Sequence, residues 1–282
     1  QTFYKSKRAG ALTAYPHKVF TISPPRVDLV IQKRLQFALD MAEGRIPLET
    51  IENVRINAKN LSLFLKALIH SLKTNQEIAE LLANITGGNI RAVVEFVTGF
   101  IGSPNVDAEK IIRIMDAKGE YLIPLHEFTK SALLGDYSHY NPDSSIAMNL
   151  FDVCFPDPKE HFLLPSILAF LDWDGSHRDR DGFAPTATIF DEIQGLGYAV
   201  PSIESVLRRA TNKKLVETAR RLTFEEDETG LIGEMPSSFR ITTVGAYHLK
   251  RWMGTFAYLD AMIFDTPIFD AELNSKLLPK LE

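Results

Sequence analysis

The chain has 282 residues, 45% hydrophobic and 24% charged, the balance of one large or two ordinary water-soluble domains with a real core. No apolar run approaches the roughly 18 residues that a membrane helix needs. The single cysteine, Cys154, excludes a disulfide framework, and a formal charge of −5 does not announce a nucleic-acid binder. A cytoplasmic protein is therefore expected. The opening "QTFYKSKRAG" has no apolar signal core and begins on Gln1 rather than Met; it reads as the front of a polypeptide cut from something longer.

"VFTIS" (19–23) reads as a short strand, with Phe20 and Ile22 alternating against Thr21 and Ser23, and Pro24-Pro25 stops it. A helix is expected from about Val27, ended by Gly44. A second carries Leu61, Phe64, Leu65, Leu68 and Leu72 at spacings of three and four. "NQEIAELLANITGG" is a shorter helix closed by Gly87-Gly88. "NIRAVVEFVTGFI" follows, with Ile90, Val93, Val94, Val97 and Ile101 along one stripe. In local terms Asn89 is an N-cap, and Arg91 pairs with Glu95 one turn on for about 0.3 kcal/mol. "DAEKIIRIMDAKG" is one more helix, with Asp107 as its N-cap. Residues 121–145 are less regular and read as a connector.

The second half changes character. "KEHFLLPSILAFLDWDG" is a helix in which Pro165 implies a bend or a late start. "SHRDRDG" is a charged loop, "PTATIFDEIQGLG" a helix, and Pro201 opens another over about Ser202–Asn212. "RRLTFEEDETGLIGEMPSSFRITTVGAYHLKRWM" reads as two strands around a long acidic turn, then a helix from about Val244. Helix, helix–turn–helix, β-hairpin, helix is the order of a winged helix.

If Ile203, Val206, Leu207 and Ala210 face inward, then Ser205, Arg208, Arg209 and Asn212 face outward, with Lys213 and Lys214 following and Arg220 and Arg221 entering the wing. Those residues are candidates for binding double-stranded DNA through its phosphates. Charge argues the other way: residues 160–282 hold 13 Lys/Arg against 19 Asp/Glu, and the wing tip is "EEDETG". A protein partner or self-association is the competing use of the same surface. "DWDGSHRDRDG" (172–182) lacks the spacing of a calcium loop, and His177 has no second ligand at zinc spacing. "KRWMGTFAYLDAMIF" (250–264) reads as a helix packing on the winged helix. There is no Gly-x-Ser-x-Gly, no Cys/His pairing, and no site for catalysis or metal is assigned.

"TGGNIRAVVEFV" resembles the sensor-2 segment of AAA+ ATPases, in the helical lid that follows their nucleotide-binding core. "FTISPP", a run of helices, "GGNIR" and a winged helix ending in "RITTVGAYHL" are together similar to the C-terminal half of origin-recognition-type AAA+ ATPases and related STAND-type ATPases. The resemblance implies a mainly α chain. Residues 1–25 would be a remnant of the core with one strand, 26–155 a lid-like bundle, and 156–282 a winged helix-turn-helix domain with a small β-hairpin wing and a closing helix. It implies that Arg91, with Asn89, senses nucleotide. The chain lacks G-x-x-x-x-G-K-[ST], so ATP and Mg would be held by the larger protein, and this chain alone would hydrolyse nothing. The competing expectation is a stand-alone winged-helix regulator or adaptor with no nucleotide role.

Overall fold

A computed structural model describes residues 25–46, 58–219, 225–227 and 230–281. The strand expected at 19–23 and the cations Arg220 and Arg221 lie outside the described residues. The first half is a helical bundle: α1 (Val27–Ala42), α2 (Ala58–Thr74), α3 (Gln76–Ile85), α4 (Ile90–Gly102), α5 (Ala108–Lys118) and α6 (Leu125–Leu134). Local chemistry sets the ends of these helices. The Asn75 side chain caps α3 through the Glu77 N–H at 2.9 Å, and that of Asp107 caps α5 through the Lys110 N–H at 2.9 Å. Gly119, at φ 77°, closes α5 in the left-handed conformation. Their inward stripes bury Ile31, Leu35, Leu68, Leu81, Val93 and Ile111.

The α6 helix corrects the expectation of an irregular connector. Pro124 and Gly135 bracket ten helical residues, and Phe128, Ala132 and Leu133 enter the core. The Phe128 ring stacks on Phe100 with centroids 4.2 Å apart, which makes burial outweigh the weak helical pattern of "LHEFTKSALL".

After a 3₁₀ turn at Pro158–Phe162 the second half runs α7 (Leu163–Asp172), β1 (Ala184–Pro185), α8 (Thr186–Gly195), α9 (Val200–Asn212), β2 (Val216–Thr218), β3 (Glu225–Asp227), β4 (Gly230–Ile232), β5 (Ser238–Ile241) and α10 (Thr243–Tyr247). Pro165 sits in the first turn of α7, where its missing N–H costs nothing, so it marks a late start and not a bend. Strand β5 is central and antiparallel to both neighbours, in the order β1-β5-β2, and β3 pairs with β4. Ala184 lies opposite Phe239 and Glu217 opposite Arg240. Val216, Thr218 and Phe239 are buried while Glu217 and Arg240 are half-exposed on the opposite sheet face.

The expected closing helix is broken. Helix α10 passes into a π turn over His248–Trp252, and α11 (Phe256–Met262) restarts after Gly254, with Thr255 at its N-cap. A further helix, α12 (Ala271–Leu281), follows. Gly245 lets α10 begin where it does: a Cβ there would sit 2.2 Å from the Leu215 carbonyl oxygen. Thr242 fixes the same corner, donating to the Lys214 carbonyl at 2.6 Å and accepting from the Gly245 N–H at 3.1 Å.

The two halves share one continuous apolar core reaching from Val27 to Met262. The chain between them runs through it: Ser145 and Ala147–Leu150 are buried without helix or strand. Buried backbone polar groups need partners, and side chains supply them. The Met148 N–H donates to His248 Nε2 at 3.2 Å, and the Leu150 N–H to the Tyr258 hydroxyl at 2.9 Å. The Asn149 N–H donates to the Tyr140 hydroxyl at 3.1 Å, and the Tyr258 hydroxyl in turn donates to the Met148 carbonyl. Among the described residues no helix is long and apolar enough to cross a membrane.

Candidate functional site

The turn from α3 to α4 carries the first group of candidates. Gly87 and Gly88 have φ of 59° and 71°, and two bonds close α3 behind them. The Gly88 N–H reaches the Ala83 carbonyl at 2.8 Å and the Gly87 N–H the Asn84 carbonyl at 3.2 Å, the paired bonding of a Schellman ending. Asn89 then starts α4, its Oδ1 accepting from the Arg91 N–H at 3.0 Å and the Ala92 N–H at 3.2 Å. The two glycines and the asparagine thus end one helix and begin the next within three residues.

Arg91 is exposed on the first turn of α4, a turn without an acidic residue. The ion pair expected with Glu95 is not formed, and among the described residues Arg91 has no ion-pair partner. A cation at a helix N-terminus is disfavoured by about 0.3–1 kcal/mol. The guanidinium therefore stands in the surface without local compensation, with its donors available to an anion from outside.

Helix α9 carries the second group. Ile203, Val206, Leu207 and Ala210 are buried, as their spacing requires, together with Ser202 and Thr211. Ser205 is half-buried. The remaining polar residues do not form one free face. Arg208 pairs with Glu204 at 3.2 Å and donates to the Gly233 carbonyl at 3.3 Å. Arg209 pairs with Asp152 and donates to Cys154 Sγ at 3.3 Å. Burial works against the Arg209 charge, and the Asp152 carboxylate with Cys154 outweighs it, so its pKa is raised. Lys213 donates to the Pro142 and Ser145 carbonyls, and burial lowers its pKa while Asp143 opposes the shift. Asn212 and Lys214 turn instead toward a cleft beside the sheet. Sequence reasoning missed Asp152, Pro142 and Ser145 as partners of this helix, and no spacing rule finds contacts 57 to 71 residues away.

The cleft holds about 770 Å³ and lies where the two halves meet. The bundle contributes Thr86, Gly87 and Asn89; the second half contributes the end of α9, strands β2 and β5, and the start of α10. At the junction a Cβ on Gly87 would sit 3.5 Å from Val244 Cγ2, so the α3–α4 turn rests against α10. Among the described residues three cations line the cleft. Arg240 is held by Glu217 at 2.6 Å and by the Asp181 carbonyl at 2.7 Å, with its guanidinium 4.6 Å from the centre of the Phe183 ring. Arg178 is held by Asp174 at 2.7 Å and by the Leu171 carbonyl at 3.1 Å. Lys214 is exposed and takes φ 62°, unusual for a residue other than glycine.

In the acidic loop 172–182, Asp172 reaches out to Lys250 at 2.7 Å, and Asp174 and Asp179 act locally. Asp179 accepts from the Asp181 N–H at 2.9 Å and the Phe183 N–H at 2.8 Å, while Asp174 takes Arg178. His177 Nε2 is 3.0 Å from the Phe170 carbonyl. Comparison with protein-family models, with curated proteins and with solved structures found no match for this chain.

Proposed function

We propose that this chain is the lid and winged-helix part of an AAA+/STAND-type ATPase. In it Arg91 responds to a nucleotide held by a neighbouring core, and the C-terminal module carries the response to a partner. The single observation that supports this most is the state of Arg91: exposed, without an ion-pair partner among the described residues, and held on a helix start that Gly87, Gly88 and Asn89 define within three residues. Arginine suits the role because its charge is permanent and its planar fork places two donors on phosphate oxygens. The order α7–β1–α8–α9–β2–β5, with β5 between β1 and β2, supports reading the second half as a winged helix. In this reading ATP and Mg belong to the larger protein. Phosphate contact at Arg91 biases one of two lid positions, and the module resting on the α3–α4 turn moves with it.

For the module itself the geometry favours a protein partner over duplex DNA. Arg209 and Lys213 are committed to residues 142–154, and Arg208 to Glu204 and Gly233, so of the candidate cations among the described residues only Lys214 is left open for phosphates.

Two measurements test the proposal. The reading frame ahead of Gln1 is expected to encode G-x-x-x-x-G-K-[ST]. In that full-length protein Arg91→Ala is expected to slow ATP turnover by about tenfold or more, the size of a lost charge-assisted contact, with unchanged thermal stability. A frame without a phosphate loop, or turnover indifferent to Arg91, would sink the ATPase reading and leave the adaptor.

A further inference from the structure

We infer that the cleft between the α3–α4 turn and the β2–β5 face is a binding site for a small phosphate ester on a hydroxylated body, of nucleoside-monophosphate or sugar-phosphate size. This site is separate from Arg91, which does not line it, and is independent of the ATPase reading. The volume, about 770 Å³, falls within the range of small-molecule sites and far exceeds what a bare anion fills.

The chemistry of the walls selects the ligand. Lys214 is an exposed cation lining the cleft, with no ion-pair partner among the described residues. Arg240 is pinned from behind by Glu217 and the Asp181 carbonyl. An arginine held in this way presents its remaining donors in a fixed direction, which lowers the ordering cost of binding an anion. Glu217 and Asp181, in the same cleft, accept hydrogen bonds and repel a second negative group, so the remainder of the ligand carries donors such as sugar hydroxyls. Both halves of the protein contribute walls, Thr86, Gly87 and Asn89 from the bundle and the other described lining residues from the second half. A ligand in the cleft therefore bridges the joint and stabilises it.

The backbone at Lys214 gives a further reason to place function there. Its φ of 62° is a conformation that a long side chain adopts at a cost and that Asn or Gly adopts readily. Lysine at this corner puts a charge on the cleft wall where Asn or Gly would suit the backbone better.

The test uses this chain with adenosine 5′-monophosphate, ribose 5-phosphate, inorganic phosphate and a short DNA duplex as probes. Calorimetry and thermal melting are run on wild type, Lys214→Asn, Lys214→Glu and Arg91→Ala. One or both phosphate esters are expected to bind and raise the melting temperature. Lys214→Asn, which keeps the backbone comfortable, is expected to weaken binding about tenfold or more, and Lys214→Glu to abolish it. Arg91→Ala is expected to leave it unchanged. A preference for the nucleotide over ribose 5-phosphate assigns the site to nucleosides; equal affinity assigns it to sugar phosphates. No binding of either ester at millimolar concentration overturns the inference. So does inorganic phosphate binding as well as the esters, binding of the duplex alone, or ester binding indifferent to Lys214.

Discussion

The protonation of His248 supplies a stability measurement that tests how the two halves are joined. Its ring is 0% exposed, and both nitrogens are in use. Nδ1–H donates to the Val244 carbonyl at 2.8 Å, and Nε2 accepts from the Met148 N–H at 3.2 Å. Accepting at Nε2 requires the neutral ring. Burial pushes the pKa from 6.5 down to about 4, while the bond to the Val244 carbonyl acts in the other direction. Because the unfolded chain takes up this proton first, the contribution is complete above pH 6.5 and is lost as pH falls toward 4. At ~1.4 kcal/mol per pKa unit the drop from 6.5 to about 4 amounts to about 3 kcal/mol, of which about 2 is lost by pH 5. The assay is urea unfolding from pH 7.5 to 4 on wild type and His248→Gln. Glutamine can meet the same two backbone groups without titrating, and carboxylates elsewhere cancel in the difference. Wild type is expected to lose about 3 kcal/mol more than the variant across that range. Parallel pH profiles, or a ring that titrates near 6.5 by NMR, would refute the buried neutral tautomer and the Met148 bond with it.

Two further substitutions probe the same region. Gly245→Ala places a methyl 2.2 Å from the Leu215 carbonyl oxygen and 3.0 Å from Ile241 Cγ1. The corner that Thr242 closes must then open, at a cost of about 3 kcal/mol or more, read as a lower urea midpoint; an unchanged midpoint means that α10 does not approach β2 so closely. Tyr258→Phe strands the Leu150 N–H and the Met148 carbonyl inside the core, with an expected loss of about 2–4 kcal/mol. Faster amide exchange at Leu150 would separate this from a general loosening, and a loss below 1 kcal/mol would mean that water reaches the segment.

Much of the local structure was legible in the residues themselves, because its causes lie within a few residues. Asn89 and Asp107 cap the helices that they precede, and Gly87-Gly88 close α3, since the groups that need partners at a helix end are the nearest ones. The inward stripe of α9 follows from a 3.6-residue period alone. The assignment of its outward residues to one surface was not legible. Arg209 meets Asp152, 57 positions earlier, and Lys213 meets Pro142, 71 positions earlier. A period tells which side of a helix is polar but not what is packed against that side.

The broken closing helix and the hidden connector show the same division. "HLKRW" has helical spacing, yet His248 is drawn to Met148, 100 residues away, and the chain takes a π turn there. The segment just after the expected connector has no helical period, and its residues Ala147–Leu150 are buried because Tyr140, His248 and Tyr258 supply hydrogen bonds that a helix or sheet would have supplied. Helix α6 passed for a linker for the complementary reason: its pattern is weak, and Phe100 makes it worth burying. The residue order by itself therefore determined where helices start, end and turn their apolar sides, because those preferences are settled over one or two turns of backbone. Only tertiary structure decided which polar groups remain free to act, because a charge is spent or available according to neighbours brought together from far along the chain. That distinction separates Arg91 and Lys214, which keep their charges open, from Arg209 and Lys213, which do not.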